Sequence, residues 1–372
     1  MNSGKELRLL LATLRDLHRN VDQRAALATI TRTRGSTFRH AGTHMLVRSN
    51  GEVVCELSGG CPQRDIVQRA LEVIATRQPR LVNYNAESGL DLLMEMGCGG
   101  ELEVLIEPLG GADVGAIAEA LQRCLDERRK AWLATWFADE RAVVTPRRLV
   151  IDGDRISHDA IGDPLLRQSI LEAVGEQPER SQTLRLPSSS GIADVLLEPV
   201  APPHALTIIG CSATALALLP VAETLGWQVT LVDGDPQHLR AAGLPREIRT
   251  ICAGPHEIRA KLVLDTNGSV MAMTHNIEQD IAYLAALRDV PVAYLGALGS
   301  PERAARIRDA LDGCEVHAPA GLDIGSETPA QIALAIAAEI TAALNRRSGG
   351  PLCNRNGNIR STGSEIATHA IQ

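Results

Sequence analysis

Residues 205–233 read ALTIIGCSATALALLPVAETLGWQVTLVD. Leu206 to Ile209 is a short apolar strand, Gly210 opens a turn, Ala213 to Leu225 has helical spacing, and Val229 to Val232 is a second apolar strand that ends at Asp233. Two uncharged, largely apolar strands joined by a helix make a βαβ unit whose strands are parallel and covered on both faces. Ala205 to Ala222 carries no charge over 18 residues, which raises a membrane span. Gly210, Ser212, Thr214 and Pro220 interrupt it, and the change of period midway favours strand, turn and helix. Downstream, Val270 to Met273 and Val292 to Leu295 supply further strands, and Pro329 to Leu344 is a closing helix. Such alternation predicts a Rossmann-like, doubly wound parallel sheet over residues 204–346. Past Arg347 the composition turns to Gly, Asn, Ser and Thr, which predicts a disordered tail over 347–372 that includes Cys353.

Upstream the texture differs. Leu7, Leu10, Leu11, Leu14 and Leu17 form one apolar helical stripe between Lys5 and Arg19. Ala25 to Thr33, His44 to Arg48 and Glu52 to Leu57 read as strands, the last two joined across Asn50-Gly51, a hairpin signal. Pro62 suits the start of a helix whose buried face is Ile66, Val67, Ala70, Leu71 and Ile74, with Cys61 as its N-cap. Strands at Leu81 to Tyr84 and Leu102 to Ile106 close an N-terminal α+β domain over 1–109. Residues 110–203 continue it or connect it to the parallel sheet, and carry no chemical cluster. Leu102-Glu-Val-Leu-Ile-Glu-Pro-Leu109 is echoed by Ala193-Asp-Val-Leu-Leu-Glu-Pro-Val200, which suggests two similar edge strands.

The chain has 372 residues, 45% apolar and 22% charged, enough for about two domains with cores of their own. A formal net charge of -8, with no Lys/Arg block, argues against nucleic acid or an anionic membrane as partner. At 2% aromatic, a base-stacking platform is not expected. Charges at Lys5, Glu6, Arg8, Arg15 and Asp16 break up any export signal, and eight cysteines scattered through a long chain fit reduced thiols in the cytoplasm.

Two clusters carry chemical interest, Ser58-Gly59-Gly60-Cys61-Pro62 and Met96-Gly97-Cys98-Gly99-Gly100. Glycines let backbone approach a ligand closely, and a thiol beside exposed amides can meet a soft metal, a sulfur donor or a phosphate. A buried cysteine is ordinarily a small hydrophobe, but flanking double glycines favour chemistry at Cys61 and Cys98. Zinc does not fit, because neither belongs to a CxxC pair and no His pair accompanies them. In the parallel-sheet half, a nucleotide would meet Gly210, Ser212 and Asp233, but Cys211, Ser212 and Ala213 crowd the pyrophosphate approach and count against NAD(P). His275 follows a strand end, where it could contact an anion or move a proton. Gly299 and Ser300 precede a helix near Pro301 and form a candidate anion seat, to which Arg303 could add charge. His317 and Asp323 lie at similar strand ends.

Taken together, these segments resemble the XdhC/CoxI family of maturation factors for molybdenum hydroxylases. The N-terminal likeness runs through Gly35-Ser36-Thr-Phe-Arg39, Gly42-Thr-His-Met-Leu-Val47, Ser58-Gly-Gly-Cys61 with Asp65, Gly97-Cys-Gly-Gly100 and Glu103-Val-Leu-Ile-Glu-Pro108. The C-terminal likeness runs through Thr274-His275 with Asp280, Gly296-Ala-Leu-Gly-Ser300 and Pro319-Ala-Gly-Leu-Asp-Ile-Gly325, followed by Thr328-Pro329. The chain departs from the family at Gly210-Cys-Ser-Ala213, at Pro62-Gln63, at Thr274-His275-Asn276-Ile277 and at Phe38. The resemblance implies a non-catalytic chaperone that binds molybdenum cofactor in its molybdopterin form, supports its sulfuration by a cysteine desulfurase and delivers it to a xanthine dehydrogenase-type molybdenum hydroxylase apoenzyme. Cys61 and Cys98 would be the molybdenum or sulfur contacts, with Gly59, Gly60, Gly99, Gly100, Ser36, Arg39, His275, Gly299 and Ser300 around the cofactor. A homodimer is the ordinary expectation. The rivals are an NAD(P)-dependent Rossmann oxidoreductase with an active thiol, favoured by Asp233 and His275, and a protein-binding scaffold that has lost its ligand site.

Overall fold

A computed structural model describes residues 2–20, 23–35, 37–57, 61–85, 100–110, 112–140, 142–153, 155–245 and 248–354, with only the backbone of Cys61, Ala112 and Asp113. The chain forms two compact units, Met1–Pro202 and Pro203–Gln372.

In the first unit the leucine stripe becomes α1 (Gly4–Arg19), closed at its start by a capping box in which Ser3 and Glu6 satisfy each other's backbone N–H groups. Then follow β1 (Ala25–Arg34), β2 (His44–Arg48), β3 (Val53–Val54), α2 (Cys61–Thr76), β4 (Arg80–Tyr84) and β5 (Glu101–Leu109). The strand expected over Glu52 to Leu57 is only two residues long. Cys55 adopts φ +66, a left-handed conformation that turns the backbone out of the ladder. Of the residues expected on the buried face of α2, Ile66, Ala70 and Ile74 are buried, but Leu71 is 37% exposed and Val73 takes its place.

Next come α3 (Ala112–Glu127), β6 (Ala131–Asp139), β7 (Ala142–Asp152), β8 (Arg155–Asp159), α4 (Pro164–Gly175), β9 (Gln182–Ser188) and β10 (Gly191–Val200). These repeat the first set. One five-stranded sheet has the order β3-β2-β1-β5-β4 and the other β8-β7-β6-β10-β9, the same arrangement with corresponding strands. The registers also correspond: Ala25 of β1 stands opposite Arg48 and Leu109, and Ala131 of β6 opposite Asp152 and Val200. The echoed octapeptides are β5 and β10. They are interior strands with a neighbour on each side, not the edge strands that the sequence suggested.

Each sheet is covered by its own helix on one face. Ala26, Ala28 and Ile30 pack with Ile66, Ala70 and Val73 of α2, and Trp132, Ala134 and Trp136 pack with Leu166 and Ile170 of α4. The other faces share one core in which Leu27 and Leu46 join Leu133 and Val150, with the apolar stripes of α1 and α3. Two polar contacts cross between the copies there, one of them a buried ion pair. His44 Nε2 lies 2.9 Å from Glu198 Oε1, and the Arg148 guanidinium binds the Glu107 carboxylate. His44 and Arg148 hold the same place in the two copies, opposite Thr29 and Thr135, and Glu107 and Glu198 likewise stand opposite Leu27 and Leu133. Each copy therefore places one basic side chain against a carboxylate of the other.

The second unit consists of β11 (Ala205–Ile209), α5 (Ala213–Thr224), β12 (Gln228–Asp233), α6 (Pro236–Ala241), β13 (Arg249–Cys252), α7 (Ile258–Lys261), β14 (Gly268–Ala272), α8 (Ile277–Leu287), β15 (Tyr294–Ala297), α9 (Pro301–Ala310) and α10 (Pro329–Leu344). Its five strands are parallel in the order β13-β12-β11-β14-β15, a Rossmann-like doubly wound sheet. One face carries α5 and α10, the other α8 and α9. The chain reverses its direction of travel across the sheet between β11 and β14, so the crevice for a ligand opens beyond Ile209 and Ala272. Leu352–Asn354 forms one further turn, and the rest of the expected tail, 355–372, lies outside the described residues. No helix among the described residues is long and apolar enough to cross a membrane.

Candidate functional site

The two glycine-cysteine segments attach to the same end of the first sheet. Cys61 is the first residue of α2 and not the cap before it. Residues 86–99 leave from Asn85, just past β4, and return at the buried Gly100, which leads into β5. Gly59, Gly60, Cys98, Gly99 and Ser36 lie outside the described residues. The start of α2 is held by Gln63, which accepts from Leu57 N at 3.3 Å and donates to Met45 Sδ at 3.0 Å.

One turn into α2, Asp65 accepts from the Tyr84 hydroxyl at 2.7 Å and from Arg69 Nε at 2.6 Å. Burial raises the Asp65 pKa, but bonds from Arg69 and Tyr84 outweigh it and hold the carboxyl below its ordinary value. Tyr84 is pushed up, chiefly by burial and then by Asp65, so it remains a neutral donor. The sequence pattern singles out Asp65 without a partner. Arg69 is readable as the i+4 cation on the same helix face, whereas Tyr84 belongs to a strand whose contact with α2 no local pattern encodes. Arg39 is engaged elsewhere: its guanidinium bonds both oxygens of Glu6 at 2.6 and 3.2 Å, beside the exposed Phe38.

In the second unit a cleft of about 810 Å³ opens at the carboxyl ends of β11, β12 and β14, lined by Gly210, Cys211, Asp233, Thr274, His275 and Tyr283 among others. Gly210 has φ +101, and a Cβ there would stand 2.9 Å from Met273 O and from Thr274 N and Cα. Two neighbouring strand ends pass so closely that only glycine fits, a reason that requires no ligand. Ser212 caps α5 by accepting from Ala215 N. Asp233 accepts from His238 Nδ1 at 3.1 Å and Asp235 N at 2.9 Å. The Cys211 thiol is pushed up to about 12, first by desolvation and then by the Asp233 charge and hydrogen bond. A thiol of that kind stays protonated at neutral pH and makes a poor nucleophile, which counts against an active-thiol oxidoreductase at this cleft.

The turn that bears His275 is held from below. Asp280, wholly buried, accepts from Thr274 N at 3.1 Å, from Thr274 Oγ1 at 2.6 Å and from Arg303 Nη2 at 2.5 Å. Arg303 also reaches the carbonyls of Thr274 and His275. The structure thus ties the guanidinium expected to add charge to an anion seat into the turn itself. Asn276 caps α8 through Glu278 N and Gln279 N. Ser300 caps α9, and a Cβ on Gly299 would meet Arg303 Cδ at 2.6 Å; neither is among the residues lining the cleft. His317 stacks on Tyr294 and lies 3.1 Å from Glu339, an arrangement internal to the fold. Among the described residues no group of three or more His, Cys, Asp or Glu side chains could hold a metal ion.

A doubled α+β unit followed by a Rossmann-type sheet defines a two-part architecture, and sequence comparison gives it a family. The model for the XdhC and CoxI family matches residues 18–85, and the model for the XdhC Rossmann domain matches residues 206–340. The chain belongs to the XdhC and CoxI family. A probable xanthine dehydrogenase subunit from Bacillus subtilis (strain 168) is 25% identical over 324 residues, covering 86% of this chain and 92% of the relative. The molybdenum cofactor insertion chaperone PaoD of Escherichia coli (strain K12) is 22% identical over 277 residues, covering 74% of this chain and 67% of PaoD. The crystal structure of a xanthine dehydrogenase from Bacillus halodurans shares the fold, with a TM-score of 0.75 at 24% identity, over 94% of this chain and 99% of that one.

Proposed function

We propose that the protein is a carrier of molybdenum cofactor in its molybdopterin form, which holds the cofactor while a cysteine desulfurase sulfurates it and then passes it to a xanthine dehydrogenase-type molybdenum hydroxylase apoenzyme. Membership of the XdhC and CoxI family supports this reading, as does the likeness to a molybdenum cofactor insertion chaperone. The observation that carries it is structural: α2, opened by Cys61, is bonded at Asp65 to Tyr84, and the segment bearing Cys98 begins beyond that strand end.

The donor set suits the cargo. Thiolates bind a soft metal and sulfur centre, and glycine amides accept close approach by a dithiolene or a phosphate. Cys61 is the leading thiol contact and Cys98 the second, with Gly59, Gly60, Gly99 and Gly100 supplying backbone. Arg39 contributes charge once it leaves Glu6, and Ser36 lies three residues before it. In the second unit, His275, Gly299 and Ser300 are the residues for which a cofactor contact is proposed. A few adjustable contacts allow release in a way that a closed metal cage does not.

The test is anaerobic mixing with molybdenum cofactor, gel filtration and metal analysis of the protein peak. Wild type should retain molybdenum and restore activity to a cofactor-free hydroxylase, and Cys61→Ala should do neither. Wild-type protein that retains no molybdenum refutes the carrier reading.

A further inference from the structure

The doubling of the first unit gives the side chains of its shared core counterparts, and at one place the counterparts differ in chemistry. His44 and Arg148 hold the same position, as do the carboxylates they contact, Glu198 and Glu107. A guanidinium presents a fork of N–H donors, whereas an imidazole offers at most one from each ring nitrogen. Both nitrogens of His44 are engaged: Nδ1 lies 2.9 Å from Thr29 Oγ1, and Nε2 lies 2.9 Å from Glu198 Oε1. Nothing remains for the second carboxylate oxygen. Glu198 is only 4% exposed, and its Oε2 has no hydrogen-bond partner among the described residues. A buried acceptor left in that state costs free energy that a donor would recover.

Space accompanies the missing donor. Histidine is a shorter side chain than arginine, and a cavity of about 90 Å³ is lined by His44, Glu198 and Ser181 together with Leu10 and Leu14 of α1 and Leu121 of α3. Ser181 Oγ is also buried and has no partner among the described residues. Gly42, with φ +77, keeps room there, because a Cβ would collide with that hydroxyl. The cavity thus combines a carboxylate oxygen and a hydroxyl with an aliphatic wall. Its permanent charges are also unequal, since Glu107 and Glu198 stand against Arg148 alone. The exposed Ala201 belongs to the lining and gives access from solvent. A cavity of this size has room for several waters or for one molecule of a few heavy atoms.

We propose that this cavity binds a small primary ammonium ion on a short aliphatic stem, with its N–H groups on Glu198 Oε2 and Ser181 Oγ and its stem along the leucines. The ammonium head takes the part that the Arg148 guanidinium plays for Glu107. The site is distinct from the glycine-cysteine segments and does not rest on the carrier reading.

The probe is butylammonium chloride, titrated calorimetrically into the full-length protein beside butan-1-ol and sodium butanoate, which keep the stem and carry a neutral or an anionic head. Butylammonium should bind saturably and at least about tenfold more tightly than butan-1-ol, the worth of a charge-assisted hydrogen bond over a neutral one, and butanoate should not bind. Glu198→Gln keeps the volume, removes the charge and should weaken butylammonium binding at least about tenfold. His44→Arg places the second copy's residue in the first, fills the cavity and should abolish binding. The proposal is overturned if the three heads bind alike, if wild type binds none of them, as a cavity that holds water only would, or if Glu198→Gln binds butylammonium undiminished. Wild type and Glu198→Gln decide it even where His44→Arg does not fold.

Discussion

Replacing Arg148 by methionine leaves the Glu107 carboxylate, 4% exposed, without the guanidinium supplied by the other copy. Removing one partner of a buried pair costs about 3–5 kcal/mol, mostly the penalty of a charge kept from water without its counter-ion. With a urea dependence of about 2 kcal/mol per molar, a loss near the middle of that range moves the unfolding midpoint down by about 2 M. The assay is intrinsic fluorescence in a Trp227→Phe background, because Trp132 and Trp136 are both buried in the first unit. The double variant Glu107→Leu with Arg148→Met replaces the pair by apolar groups and should recover most of the loss, to within about 1 kcal/mol of wild type. The difference between the single and double variants is the coupling of the pair. A single variant that shifts the midpoint by less than about 0.5 M, or a double variant no better than the single one, would refute the reasoning.

In the second unit, Gly210→Ala should cost about 2–4 kcal/mol, from the positive φ and the contact with the backbone of Met273 and Thr274; urea unfolding followed by Trp227 fluorescence checks it. The His317–Glu339 pair should make this unit's stability depend on pH. Glu339 raises the His317 pKa from 6.5 first by its hydrogen bond, so that stabilisation is complete below about 6.5 and lost as pH rises through the folded value. Burial raises the Glu339 pKa, but bonds from His317, Tyr294 and Gly321 hold it below 4.5, so its contribution is complete above about 4.5 and lost in acid. The urea midpoint should therefore be highest between those limits, and His317→Gln should flatten the alkaline side; an unchanged slope in that variant would count against the pair. At pH 8, Cys211 should react with iodoacetamide more slowly than the exposed Cys252, and Asp233→Asn should speed it, as read by peptide mass spectrometry. Equal rates for Cys211 with and without Asp233 would remove the electrostatic part of that explanation.

The parallel sheet was legible in the sequence because its strands are covered on both faces and so appear as unbroken apolar runs between helical segments. The α1 stripe and the Asn50-Gly51 hairpin were legible because both are local patterns. The premature end of β3 was not, since a left-handed Cys55 has no marker that distinguishes it from its neighbours in a β-rich stretch. The octapeptide echo was visible, but its place in the interior of each sheet depends on β4 and β9 adding outside it. The reciprocal bonds from His44 to Glu198 and from Arg148 to Glu107 join residues far apart in the chain, and no spacing rule reaches them. At the candidate site the cysteines and glycines announced themselves by type. Tyr84 did not, because a tyrosine in a strand reads as an ordinary β residue until the helix above it is placed. Gly210 was read as part of a ligand turn, and the crowding of two strand ends is a separate reason for a glycine there.

The shared core and the contacts that cross it make the first unit indivisible. A fragment ending after β5 would expose the sheet face that carries Leu27, Leu46 and Glu107, and the complementary fragment would expose the face that carries Leu133, Val150 and Arg148. Neither half could cover its own apolar face, so each needs the other to fold. The two halves then stand or fall together, and a substitution in the shared core of one lowers the stability of the other.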